Sequence, residues 1–467
     1  MHEATRLLER VLREGFSRWR QLTFDAKVIG SLALANWLLL FSSDTIVQVS
    51  RDGPIWRLFP GLLGPLYLFL VGAIALAYPW RDLRDRAAFG DRQRWLHLGA
   101  IVALFVVIPT LAAVALRATG QPWTYVHDGA LMAEEAARKL LAGHNPYSVD
   151  YLDTPLFYWP MVNNPALYHF TYFPLLFLIT IPPMLLTAPL GWFDERLLFL
   201  PAFIGCLWLA ARLVRPSTAV RLAVVAAITL NSQFFPFVIE GRNDDFVLFF
   251  VLATLLCLQR DRRVLAGLAL AAAAGLKLHA IVLVPFIAVY LLARARPRTL
   301  SGAWRALAPT FMPFAIVSAL VFVPFIAWDA YGMWDDVVLY NAGASAWSYP
   351  VAGIGFSMLL HGLGVIPYRT AEFPFWIFEV AAAIPVAVIT MRWLWRDPSI
   401  PQVAFGYALT LLAFLFFGRY FQTSYLGYIV AAVTPALFLA PRRTRPVIVV
   451  AAPAAGGVPS QAAAGEP

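Results

Sequence analysis

From Lys27 onward the chain is a succession of long apolar runs separated by short charged connections. A helix needs about 20 mostly apolar residues to cross a bilayer, and these runs approach or reach that length. Backbone groups in hydrocarbon must be satisfied within the chain, so such runs fold as helices or as a closed barrel. No run alternates apolar and polar residues as barrel strands do, which leaves an all-α polytopic membrane protein. Composition agrees: 13% of residues are charged and 60% are hydrophobic, whereas soluble domains carry about 25% charged residues. Helices are expected over 27–43, 57–78, 97–116, 171–190, 196–213, 220–239, 246–258, 264–276, 279–293, 306–327, 373–394, 402–417 and 424–440.

The connections set the orientation. Arg and Lys gather at the N-terminus, in 81–94 (RDLRDRAAFGDRQR), 259–263 (QRDRR), 294–305, 392–396 and 442–445. Basic loops stay on the cytoplasmic side. This places 117–170, 240–245, 328–372 and 418–423 outside, with both termini cytoplasmic, in an inner (plasma) membrane. The formal charge of +9 therefore reports orientation, not a nucleic-acid partner. Residues 1–26 read as a basic amphipathic helix lying at the membrane interface, with Leu7, Leu8, Val11, Leu12 and Trp19, and not as a cleavable signal peptide. Residues 27–96 form an N-terminal helix pair and its cytoplasmic loop. Residues 97–446 form the main membrane domain, and 447–467, rich in Ala, Gly and Pro, a disordered tail. Cys206 and Cys257 lie within apolar runs, and neither a disulfide framework nor a zinc spacing is present.

Parity adds a constraint. The outer loop ending near His169 and the outer GRNDD at 241–245 require an even number of crossings between them, yet three apolar segments intervene. Segment 171–190, interrupted by Pro182 and Pro183, is expected not to span. Segment 349–366, Gly-rich and flanked by Pro350 and Pro367, reads as a second re-entrant element. Irregular backbone at membrane depth must be buried in protein or line a cavity, so an outward-opening cavity within about 12 crossings is expected.

The long outer loop 117–170 is where charge gathers. Asp128 follows His127, Glu134 and Glu135 lie along a short amphipathic helix over 129–142, and Asn145, Pro146 and Tyr147 end it. Asp is a preferred helix cap, which is one reading of Asp128. Glu135, at i+7, shares the Asp128 face, while both glutamates fit a solvated face paired with Arg138. Asp244 and Asp245 open an apolar helix, where carboxylates complement the helix N-terminus. Lys277 and His279 fall inside a continuous apolar run, where ionisable groups are costly and mark function. Lysine snorkelling to the interface is the other reading of Lys277. Tyr147, Tyr151, Tyr158, Trp159, Tyr168 and Tyr172 fit an interfacial aromatic belt. No phosphate-cradling, nucleophile-elbow or zinc motif occurs, so a nucleotide-sugar donor is not expected.

Four stretches carry a resemblance. They are Asp128 with the Gly143–Tyr147 helix end, Gly191–Leu197 with Arg196, Gly241–Asp245 followed by Gly275–Lys277 and Pro285, and Arg419–Tyr425. Together they resemble the GT-C membrane glycosyltransferases, in particular the polyprenyl-phosphate-sugar-dependent, bacterial mannosyltransferase-like branch (families 87 and 39). That group often has Gly-Gln-x-Asn where this chain has Gly241, Arg242, Asn243 and Asp244. The resemblance implies a GT-C-type bundle with a large catalytic first outer loop. It implies inverting transfer of mannose or a similar sugar from a polyprenyl-phosphate donor to a lipid or glycan acceptor hydroxyl on the outer face. In that scheme Asp128 is the general base. Lys277, His279, Arg242 and Arg419 are candidates for the donor phosphate, and Glu135, Asp244 and Asp245 are secondary acidic candidates. No cofactor or metal is implied. A transporter or flippase of polyprenyl-linked sugars is the alternative, because broken helices and buried charge mark transporters too.

Overall fold

The computed structural model describes residues 15–42, 58–161 and 163–439. Most of the expected interfacial helix and the whole tail from 447 lie outside the described residues. Residues 15–21 are helical.

The helices are α1 (Phe24–Ser42), α2 (Leu63–Arg84), α3 (Asp91–Thr119), α4 (Asp128–Leu141), α5 (Leu175–Thr187), α6 (Arg196–Leu213), α7 (Thr218–Thr229) and α8 (Phe235–Glu240). There follow α9 (Asp244–Gln259), α10 (Arg263–Leu276), α11 (Leu278–Ala295), α12 (Leu300–Trp334), α13 (Phe356–Gly362), α14 (Phe375–Arg396), α15 (Ile400–Phe417) and α16 (Thr423–Phe438). Among the described residues, seven helices are long and apolar enough to cross a membrane, and shorter apolar ones pack among them.

Contacts at the helix ends define two ends of the bundle. At one end Thr218 donates to Asp91, Gln259 Nε2 donates to the Leu213 carbonyl at 2.9 Å, and Arg296 Nη2 to the Trp395 carbonyl at 2.9 Å. At the other, the His127 amide donates to the Glu240 carbonyl at 2.8 Å and the Phe173 amide to the Leu276 carbonyl at 3.3 Å. The loops 117–170 and 240–245 thus share one end. Among the described residues, passes between the ends are made by α1, α2, α3, α6, α7 with α8, α9, α10, α11, α12, α14, α15 and α16, which is twelve.

α5 is not among them. Thr180, midway along it, donates to Glu195 Oε1 at 2.7 Å, and Glu195 immediately precedes α6. The half of α5 beyond Thr180 extends only about 10 Å at 1.5 Å per residue, too short to reach the far end.

Three elements differ from expectation. The run 220–239 is split at 230–234, because Asn231 turns its amide to its neighbours. Its Oδ1 accepts from the Gln233 amide at 3.1 Å and its Nδ2 donates to the Gly427 carbonyl at 2.8 Å. α12 extends the expected 306–327 to 35 residues, about 52 Å at helical rise, and kinks at Asp329 (φ −155°, ψ 94°). Within 349–366, Ala352–Gly353 (β1) pairs in parallel with Tyr420–Phe421 (β2). α13 follows over a small core of Val351, Ile366 and Phe375. This segment is therefore pinned to the end that carries 418–423.

Candidate functional site

The site forms where helices begin or break at the loop-rich end. Asp128 opens α4, Asp244 opens α9, Lys277 joins α10 to α11, and Tyr425 lies in the first turn of α16. The cap of α4 is His127, in extended conformation, and its Nδ1 accepts from the Gly129 amide at 3.0 Å. Asp128 takes the first helical position, so the capping role expected of it belongs to its neighbour.

The same His127 Nδ1 lies 2.7 Å from Asp128 Oδ1. One nitrogen cannot accept from the amide and donate to the carboxylate together. Burial pushes the Asp128 carboxyl up, but His127, Arg242 and the Gly129 amide outweigh it and hold the carboxyl below its usual range. Desolvation alone predicts a raised carboxyl; the nearby cationic groups reverse the sign.

Arg242 pairs with Glu240 at 3.0 Å, lies 4.3 Å over the Phe237 ring, and reaches Ser424 Oγ at 3.4 Å. Lys277 does not snorkel. Its ammonium donates to Asp244 Oδ1 at 2.5 Å and Asn243 Oδ1 at 3.0 Å, between the rings of Tyr172 (5.6 Å) and Tyr425 (5.5 Å). His279 is buried against Tyr428 at 4.6 Å between centroids, and its Nε2 has no hydrogen-bond partner. Asp245 is buried with neither carboxylate oxygen partnered.

Tyrosines cluster beside these groups. Tyr349 lies 4.6 Å from Tyr420, Tyr420 is 6.1 Å from Tyr425, and Tyr340 is 6.4 Å from Tyr349. Tyr172 stands between the two carboxylates: a Cβ on Gly129, next to Asp128, would lie 2.6 Å from its hydroxyl, and its ring lies 5.6 Å from the Lys277 ammonium that holds Asp244. Burial and the charges of Asp128 and Asp244 raise its phenol. An apolar groove of about 520 Å³ between α10 and α12 holds none of these residues.

Other candidates lie elsewhere. Arg419 is buried, and its guanidinium is engaged by the backbone carbonyls of Tyr349 (2.5 Å), Ala371 (2.9 Å) and Arg369 (3.3 Å). Glu134 and Glu135 are buried, not solvated, because α4 lies flat against α5 and the start of α6. Glu135 pairs with Arg138, while Glu134 forks onto Arg117 at 2.7 and 2.8 Å. His169, Asp335 and Asp336 come close enough to chelate a cation, but His169 is held by Asp336 at 2.7 Å and by the Ala346 carbonyl at 2.6 Å.

The sequence reading missed the ionic lattice behind the site. Arg117 Nη1 also donates to Asp194 at 3.0 Å, and Arg196 forks onto the same Asp194 at 2.7 and 2.9 Å. Asp194 and Arg196 carry a sequence marker, the Gly191–Leu197 stretch, and Glu134 reads as solvated from the sequence; Arg117 carries none.

Residues 170–418, more than half of the chain, match the family model of Glycosyltransferase family 87. The chain belongs to glycosyltransferase family 87. No curated protein and no solved structure matches it. The family 87 match takes in Arg242, Asp244, Lys277 and His279, begins after Asp128 and ends before Arg419. The GT-C resemblance is thereby upheld: the protein is a GT-C-type membrane glycosyltransferase. Membership favours transfer chemistry over the transporter alternative.

Proposed function

We propose that this family 87 enzyme transfers a hexose, mannose or a similar sugar, from a polyprenyl-phosphate donor to a lipid or glycan hydroxyl at the loop-rich end of the bundle. What supports the reading is that Asp128 and Lys277 lie on either side of Tyr172, whose hydroxyl stands 2.6 Å from where a Cβ on Gly129 would be and whose ring lies 5.6 Å from the Lys277 ammonium, with the Arg242 charge acting on Asp128 as well. The acceptor oxygen attacks the anomeric carbon while its proton passes to Asp128. The carbon–oxygen bond to phosphate breaks, its electron pair leaves with polyprenyl phosphate, and Arg242 and Lys277 stabilise the charge that develops there. Direct displacement inverts the anomeric centre and needs no carboxylate nucleophile. His279 Nε2, buried and unpartnered, is a further donor toward the phosphate, and Arg419 orders the outer segments around the site.

Asp128→Asn tests this. His127 remains as the cap, so the variant is expected to fold and to bind donor while turnover falls by about 10²–10⁴. Turnover is read as formation of the glycolipid that mass spectrometry finds in membranes only when the protein is present. A folded Asn variant with ordinary turnover sinks the assignment.

A further inference from the structure

The two loops that carry Asp128 and Arg242 have little regular structure of their own. Tyr125 sits at φ 55° and Gly241 at φ 86°, both left-handed, and Tyr125 carries a side chain there at a cost. One guanidinium bonds to both. Arg196 is 1% exposed. Its Nη1 donates to the Tyr125 carbonyl at 2.7 Å and to the Ile239 carbonyl at 3.0 Å, each three residues before Asp128 and Arg242 respectively. Its Nε and Nη2 fork onto Asp194, which Arg117 holds in turn. The loops also bond directly, His127 amide to Glu240 carbonyl at 2.8 Å. Gly241 brings the backbone so close that a Cβ there would stand 3.1 Å from Arg196 Cγ.

We propose that Arg196 is a positioning residue: it fixes the register between the loop bearing the base and the loop facing the donor phosphate. It touches no reacting atom itself. The task needs a planar group donating in several fixed directions at once, which guanidinium supplies and an ammonium does not. The inference rests on Asp128 being the base. If attack and departure occur on opposite sides of the anomeric carbon, Asp128 and Arg242 must keep their separation, and misplacement by about 1 Å costs about 10²-fold in rate.

The register also leaves a titration signature. Asp128 is faced by His127 from its own helix end, Arg242 from the loop before α9, and the phenols of Tyr172, Tyr340 and Tyr349 from the surrounding segments. If Arg242 drifts away, the carboxyl rises toward its ordinary range and the acid limb of the turnover profile moves to higher pH.

The test uses the full-length enzyme in isolated membranes, with lipid extract of the same membranes as donor and the protein-dependent glycolipid as readout. Arg196→Lys is expected to lower turnover per folded molecule by about 10²-fold, with the apparent donor KM within about threefold and the acid limb displaced upward. Turnover per folded molecule and an acid limb both unchanged would leave Arg196 a merely structural residue and overturn the proposal. If the Lys variant does not accumulate, Gly241→Ala presses on the Arg196 side chain from the loop side. It is expected to move both readouts in the same direction by less, and normal values for both overturn the proposal. Asp128→Asn, run in parallel, separates the two ideas: its retention of turnover defeats the base assignment whatever Arg196 does.

Discussion

The Lys277 ammonium donates to Asp244 at 2.5 Å, with the two side chains 14% and 4% exposed, so a single substitution confounds two duties. Lys277→Met strands a buried carboxylate, which costs about 3–5 kcal/mol of stability. Adding Asp244→Asn removes that charge and is expected to restore most of the loss in thermal unfolding. If Lys277 also contacts the donor phosphate, the double variant still loses about 1.5–3 kcal/mol of donor binding, roughly ten- to a hundredfold in apparent KM. A double variant with wild-type stability and wild-type KM would reduce Lys277 to the partner of Asp244. Lys277 was legible in the sequence because a charge inside an apolar run announces itself. Arg117 was not: its partners Glu134 and Asp194 lie 17 and 77 residues away, and nothing local links them. Likewise His127 and Asp128 both suit a cap, and only the backbone angles distinguish them.

Among the elements, the long α12 and the outer loop are tied together above the site. Ser148 donates to Asp329 at 2.7 Å at the kink, and the His169 ring bridges Asp336 and the Ala346 carbonyl. Because Nε2 faces a carbonyl, it must donate, and the second ring proton then serves Asp336. Burial lowers the ring, but Asp336, the Ala346 carbonyl and the charge of Asp335 together raise it above its usual value. A raised folded value means that the ring's stabilisation is lost as pH climbs through that value, while Asp336, pushed up to about 6 by burial, gives up its own charge on the acid side. Backbone amides of 343–350 are therefore expected to lose hydrogen-exchange protection as pH rises above about 6.5, by up to tenfold per unit of upward shift. His169→Gln is expected to abolish that pH dependence, and an unchanged slope in the variant would detach the effect from this ring. The helices themselves were readable from apolar run length. The break at 230–234 was not, because it depends on Gly427 approaching from 196 residues away.

Across the whole molecule, charge is distributed unequally between the two ends. Arg84, Arg86, Arg92, Arg260, Arg262, Arg298 and Arg396 lie exposed near one end, whereas at the other Arg138 and Arg369 are exposed and Arg117, Arg196, Arg242, Lys277 and Arg419 are turned inward, each bonded to a carboxylate or backbone carbonyl. Exposed basic loops remain cytoplasmic, and inward-turned cations do not count against that bias, so the loop-rich end that holds Asp128 is expected to face outward. Cysteine labelling tests this directly. In a Cys257→Ala background, with buried Cys206 retained, Asp150→Cys and Asp261→Cys place one exposed thiol at each end. Asp261 has φ 56°, a strain of about 1–2 kcal/mol for cysteine, tolerable on a surface turn. The thiol at 150 is expected to react with an impermeant maleimide on intact cells, and the thiol at 261 only after the membrane is opened. The reverse pattern would invert the protein and place the tyrosine-rich site in the cytoplasm, where nucleotide sugars are at hand and the case for a lipid-linked donor falls away.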